Sequence, residues 1–244
     1  MGVKKIKTGT SISAVTYNIQ HGRGIDGHLD LERAAYVLAV LSPDIALLQE
    51  VDCRRPATRM SCQARELARQ LNMDYAYGAV KRYRPGSYGN AILSRYPIRS
   101  IKNHVLPGED DQRCCLEVRI KTPQYNFTCF NLHLGLKSAE RCHHLEEVVL
   151  PRLQAVNGPV VLGGDFNSRP ESAEISLLKG CLLDSFQANS GEYRFTFPAD
   201  QPRSRIDYIF LNRRWQIDDY RIIPHTLASD HLPVIVKATC KLFA

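Results

Sequence analysis

Several apolar, strand-like runs in this chain end on a polar side chain. Asn18 closes AVTYN, Glu50 closes DIALLQE and His133 lies in FNLHL. Asp165 and Asn167 follow PVVLGG, Asp207 opens IDYIF, and Asp230 and His231 precede LPVIV. A strand that runs through a core surfaces at its rim, so side chains at such ends can share a cleft. Asn18, Glu50, Asp165, Asn167 and Asp230 offer carboxylate or amide oxygens, the donors that magnesium takes at about 2.0–2.1 Å. Zinc, which favours thiolate and clustered imidazole, suits them less. His133 and His231 add side chains of the type that moves protons near neutral pH. Phosphate ester hydrolysis needs such a set: a cation to take up charge, a base for water and an acid for the leaving oxygen.

Each residue alone has a plainer reading. Asn18 can be a turn former, Glu50 a solvated strand end and His133 a core histidine. The GGDFNS segment suits a turn, and Asp230-His231 suits a loop. Such separate explanations would have to fall into one pattern by coincidence.

The elements that must position these groups are short strands with a few helices between them. Strand patterning covers 11–18, 45–50, 75–80, 88–94, 115–121, 126–133, 159–164, 206–211 and 232–238. Helical spacing covers Leu29–Leu41, stopped by Ser42-Pro43, and Ser138–Leu153, with Ser138 as its N-cap. A shorter basic helix is expected over Ser61–Leu71. There is no low-complexity linker, so residues 1–244 read as a single domain. The fold class expected is α/β (α+β): a four-layer sandwich of two mainly antiparallel sheets flanked by helices.

Bulk properties narrow the class. The 244 residues are 44% hydrophobic, enough for a sizeable core, which argues against disorder. The net charge of +7 favours anionic ligands, although no long basic run exists. The eight cysteines show no zinc spacing, and several lie in apolar runs. No secretory signal or membrane span is expected. A reduced, cytoplasmic protein follows.

One pattern competes with the phosphoesterase reading. Gly22-Arg23-Gly24-Ile25-Asp26-Gly27 matches the dinucleotide fingerprint G-x-G-x-x-G, with Glu50 roughly where a ribose-binding acid would stand. The next helix begins only near Leu29, too late for a pyrophosphate-binding turn. The segment is therefore expected to be a loop at the cleft mouth, with His21 and Arg23 as solvated side chains.

The ordered series TYNIQ (16–20), PDIALLQEVD (43–52), YGNAILSRYPI (88–98), NLHL (131–134), VVLGGDFNSRP (160–170), SRIDYIF (204–210) and SDHLPV (229–234) resembles the endonuclease/exonuclease/phosphatase superfamily of magnesium-dependent phosphoesterases. The resemblance runs nearly the whole length and is strongest to compact bacterial members. It implies a two-sheet sandwich and hydrolysis of a phosphodiester through a magnesium-activated water, with manganese as a substitute ion. It also implies roles. Glu50 would be the main metal carboxylate, with Asn18 and Asp230 in the same cluster. Asp165 would orient or deprotonate water, and Asn167 would hold a phosphate oxygen. His231, oriented by Asp207, would contact the scissile phosphate, and His133 would stabilise phosphoryl oxygens or protonate the leaving group.

Arg113 and Arg205 are the candidate substrate-binding residues. Arg205 stands two positions before Asp207 and is expected to share its strand face. The substrate is an anionic phosphodiester: nucleic acid, a phospholipid head group (a sphingomyelinase-like reading) or a small molecule. No obligate protein partner is implied. The remaining alternative is a non-catalytic phosphate-binding scaffold, which would have no use for the full polar set.

Overall fold

The computed structural model describes residues 7–108, 112–224 and 226–242. Two six-stranded sheets stack face to face. The first contains β1 (Lys7–Asn18), β2 (Ile45–Cys53), β3 (Asp74–Arg82), β4 (Ser87–Ser94), β11 (Trp215–Ile222) and β12 (Val234–Leu242), in the order β11-β12-β1-β2-β4-β3. The second contains β5 (Ile98–Leu106), β6 (Arg113–Lys121), β7 (Asn126–His133), β8 (Val160–Asp165), β9 (Leu183–Asp184) and β10 (Asp207–Leu211), in the order β5-β6-β7-β8-β10-β9. Helices α1 (Leu31–Leu41) and α2 (Gln63–Leu71) cover the first sheet. On the second lie α3 (Ser138–His144), a wider π-helical turn at Leu145–Val149, α4 (Leu150–Gln154) and α5 (Ala173–Lys179).

The burial pattern explains these layers. Leu47, Ile92, Leu116, Val118, Ile209 and Trp215 fill the space between the sheets, while Leu48, Tyr17, Leu38 and Leu67 pack on the helix side of the first. Phe130, Leu132, Leu145, Val149 and Phe210 do the same for the second. Each such side chain withdrawn from water stabilises the fold by about 1.5–3 kcal/mol. Between the sheets lies a buried polar seam as well. Gln49 donates to Asn131 Oδ1 at 2.7 Å, and Asn131 donates to the carbonyls of Leu48 and Ala91 at 2.9 and 2.8 Å.

Local chemistry accounts for most boundaries. Asp30 caps α1 by accepting from Glu32 N–H, which moves its start from the expected Leu29 to Leu31. Ser138 is not a cap: Lys137 holds that position without a side-chain bond, and Ser138 binds Glu174. The π turn ahead of Pro151 relieves the clash a proline ring makes with the carbonyl four residues earlier. Strands β5 and β11 escaped the sequence reading. β5 is an edge strand whose central residues are exposed, and a bulge between Ile217 and Asp219 breaks the alternation in β11.

Each sheet has one parallel pair, β1 with β2 and β7 with β8, and all other pairings are antiparallel. Asn18, His133 and Asp165 are the last residues of β1, β7 and β8, and Glu50 lies near the end of β2. The carboxyl ends of parallel strands are where α/β sheets present ligand-binding groups.

Candidate active site

Register places three of the site residues side by side. His133 is the Cα partner of Asp165, which is in turn the partner of Asp207. His231 precedes β12 and comes from the other sheet. Its Nδ1–H donates to Asp207 Oδ2 at 3.0 Å, and its Nε2 lies 3.7 Å from Asp165 Oδ2. The reactive atoms of Asp165, Asp207 and His231 lie within 4.8 Å of one another, all buried. Thr196 Oγ1 accepts the backbone N–H groups of Ile206 and Asp207, and the Phe197 ring packs on His231 at 4.8 Å between centroids.

Two imidazoles face the same carboxylate oxygen, Asp165 Oδ2, and their pKa values are pushed in opposite directions. Burial alone would push His231 down, but Asp207 and Asp165 outweigh it and raise its pKa to about 10. His133 is shifted the other way. Burial, with Arg113, His231 and His21 adding, holds it well below the ordinary histidine range. Neutral His133 sits with Nε2 3.5 Å from Asp165 Oδ2, while the Tyr88 hydroxyl donates to Nδ1 at 3.4 Å. Burial pushes Asp165 up to about 7, with Asp207 adding and His231 opposing. Environments that drive neighbouring groups apart in this way assign acid and base roles.

Asn18 joins this group to Glu50. Its amide Nδ2 donates to Asp165 Oδ2 at 3.2 Å and to Glu50 Oε1 at 3.3 Å. Its Oδ1 accepts Gln20 N–H at 3.0 Å. Asn18 therefore ties the carboxylates of Asp165 and Glu50 together across the two sheets. On its other side Gln20 Nε2 donates to Asp230 Oδ2 at 3.1 Å, and Ser229 Oγ donates to the Asn18 carbonyl at 2.7 Å.

Glu50 reaches the cleft through a backbone irregularity. Between Leu48↔Ala91 and Val51↔Gly89, two residues of β2 oppose one of β4, and Glu50 has φ 55°. A bulge with a left-handed residue re-aims a side chain at some cost in strain. The Glu50 carboxylate is 24% exposed, against 2% for Asp165 and 0% for Asp207.

The structure corrects the sequence reading at two further points. His21 is not a solvated loop side chain: Nε2 lies 3.3 Å from Glu50 Oε2 and Nδ1 3.1 Å from Asp52 Oδ1. Gln63 holds the turn by donating to the His21 carbonyl at 2.5 Å and accepting Asp52 N–H at 2.8 Å. Arg23 does remain exposed. Arg205 fails the expectation that it shares a strand face with Asp207, because β10 starts only at Asp207. Its guanidinium is locked on Asp184 at 2.8 and 3.0 Å and stacks on Phe186 and Tyr208. Its charge is matched by Asp184.

Arg113 lines the cleft beside Glu50, and Asn167 follows the cluster with φ 48°, donating Nδ2–H to the Leu134 carbonyl at 3.0 Å. Sequence reasoning missed His21, Asp52 and Tyr88. Asp52, two residues after Glu50, carried a signal: a carboxylate inside an apolar run.

Two stacked sheets that bring carboxylates and imidazoles to one shared rim define a phosphoesterase-type α/β sandwich. The family model for the Endonuclease/Exonuclease/phosphatase family matches residues 15–231. The chain belongs to that family, whose members are phosphoesterase hydrolases that generally use divalent metals. It is 30% identical over 216 residues to the protein YbhP of Escherichia coli (strain K12), covering 82% of this chain and 85% of that one. In fold it is similar to an endonuclease/exonuclease/phosphatase from Bacteroides vulgatus, with TM-score 0.80, 18% identity, and 95% and 100% of the two chains covered. A mannosyl-6-phosphatase of Bacteroides thetaiotaomicron VPI-5482 gives TM-score 0.76 at 22% identity, covering 93% of this chain and 99% of that one. Among the described residues no helix is long and apolar enough to cross a membrane.

Proposed function

We propose that this protein is a magnesium-dependent phosphodiesterase whose cleft hydrolyses an accessible anionic phosphodiester. One observation carries the reading: the Asp165 carboxylate stands between the imidazoles of His133 and His231, at 3.5 and 3.7 Å, in a site joined through Asn18 to the open carboxylate of Glu50.

The donor set fits a hard cation. Glu50 and Asp230 flank the Asn18–Gln20 segment and carry oxygen ligands. The Gln20 Oε1, buried and without a hydrogen-bond partner, belongs to the side chain that contacts Asp230. Glu50 and Asp230 would hold the ion, with manganese able to stand in. When bound, the ion supplies positive charge to the phosphoryl oxygens. Asp165 orients the attacking water and accepts its proton, a task suited to a carboxylate raised toward neutrality. His231, held in orientation by Asp207, donates Nε2–H to a phosphoryl oxygen. His133 takes the side of the leaving oxygen, and Asn167 has a second amide hydrogen for the phosphate. The eight cysteines are unpaired, which agrees with a reducing, cytoplasmic setting.

The test is a magnesium-supplemented screen of supercoiled plasmid, RNA, phospholipid vesicles, inositol phosphates and bis(p-nitrophenyl) phosphate. Turnover of a diester supports the reading. Turnover confined to vesicles selects the sphingomyelinase-like alternative, and inactivity on every substrate leaves a phosphate-binding scaffold.

A further inference from the structure

The cleft around Glu50 is a polar pocket of about 310 Å³, whose other walls include His21, Arg55, Lys81, Tyr83, Tyr88 and Arg113. The catalytic arrangement above uses none of its cations. Arg55 is partly neutralised, donating to Asp52 at 3.0 Å, and its guanidinium stacks on the Tyr83 ring at 4.2 Å. Lys81 lies 5.7 Å from the same ring and forms no ion pair among the described residues. Arg113 is 7% exposed, and its Nε is buried without a hydrogen-bond partner. A buried guanidinium nitrogen left unpaired is costly, and an acceptor arriving from outside removes that cost. Among the described residues Glu50 is the one carboxylate on the pocket wall, and it is already engaged by His21 and Asn18.

We infer that this pocket binds a second phosphate group carried by the same substrate, so that the preferred diester is one bearing another phosphate next to the scissile one. The inference rests on the proposed function for its first phosphate and adds the substrate class. The charge balance supports it: among the described residues Lys81 and Arg113 form no ion pair, and Arg guanidinium binds phosphate through paired N–H donors. The volume supports it too, since the space holds a phosphate with part of a sugar. Two sources share this chemistry, a terminal phosphomonoester and the next phosphodiester of a nucleic acid chain.

The experiment measures binding apart from turnover. Thymidine 3′,5′-bisphosphate and thymidine 5′-monophosphate are titrated calorimetrically into wild type, Lys81→Met and Arg113→Met in EDTA. Wild type should prefer the bisphosphate by about tenfold or more, the scale of one charge-assisted contact. Both substitutions should shrink that preference toward unity. Lys81 is exposed, so Lys81→Met keeps the test valid if Arg113→Met fails to fold. Equal affinity of wild type for the two nucleotides, or a preference untouched by Lys81→Met, overturns the inference. A trinucleotide with two internal and no terminal phosphates, TpTpT, separates the sources: binding as tight as the bisphosphate selects the backbone diester, and weaker binding selects the phosphomonoester. Hydrolysis of bis(p-nitrophenyl) phosphate, which has no second phosphate, is measured alongside. Its absence contradicts the proposed function while the binding preference still decides this inference.

Discussion

Asn18 and Asp165, each the last residue of a strand in a different sheet, meet through a single hydrogen bond of 3.2 Å from Nδ2 to Oδ2. The site is thus divided between the sheets, and its geometry depends on how they are fastened. Asn18→Ala should lower kcat by about 100-fold, the scale of a displacement of about 1 Å at the reacting groups. Steady-state kinetics on bis(p-nitrophenyl) phosphate checks this. An unchanged kcat would remove Asn18 from the site's organisation.

Asp207 orients His231 through the 3.0 Å bond to Nδ1. Asp207→Asn keeps the shape but takes away the charge that favours the imidazolium. The expected loss in kcat is about 100- to 10,000-fold. The His231 ring, followed by NMR, should also titrate at a lower pH than in wild type. A variant with near-normal rate and titration would separate the pair from catalysis.

The bulge at Glu50 predicts a trade between stability and activity. With φ at 55°, any side chain there is strained, and glycine is not. Glu50→Gly should be more stable than Glu50→Ala by about 1 kcal/mol in urea unfolding. Both should be inactive. If the alanine variant is the more stable, the left-handed backbone at this position is not a source of strain.

His144 supplies a pH dependence away from the cluster. Burial lowers its pKa, against the pull of the Pro107 carbonyl, which accepts Nε2–H at 2.7 Å, and of Glu140. The unfolded chain takes up a proton near pH 6.5 that the folded chain resists. Stability from this residue is therefore full above about pH 6.5 and lost as the pH falls below it. Urea midpoints between pH 7.5 and 5 should fall less in His144→Gln than in wild type. Parallel slopes would contradict this assignment.

The strands that end at the site were legible because burial on both faces leaves long apolar runs. Asn126–His133 matches its sequence reading residue for residue. What the sequence concealed depends on backbone detail. The β2 bulge turns Glu50 into the cleft, and the tight turn of Gln20–Gly22 brings His21 over it; neither feature has a signature in residue type. Arg205 misled for the opposite reason. Strand spacing places it beside Asp207 only if the strand has already begun, and Asp184, distant in sequence, captures its charge.

The most direct measurement is the rate of bis(p-nitrophenyl) phosphate hydrolysis by wild type, Glu50→Ala and His231→Ala, with magnesium and then with excess EDTA. Wild type should turn over only with magnesium, and each variant should lose at least about 100-fold. Hydrolysis that survives EDTA, or that proceeds equally in all three proteins, would contradict a cation held by Glu50 beside a charged His231.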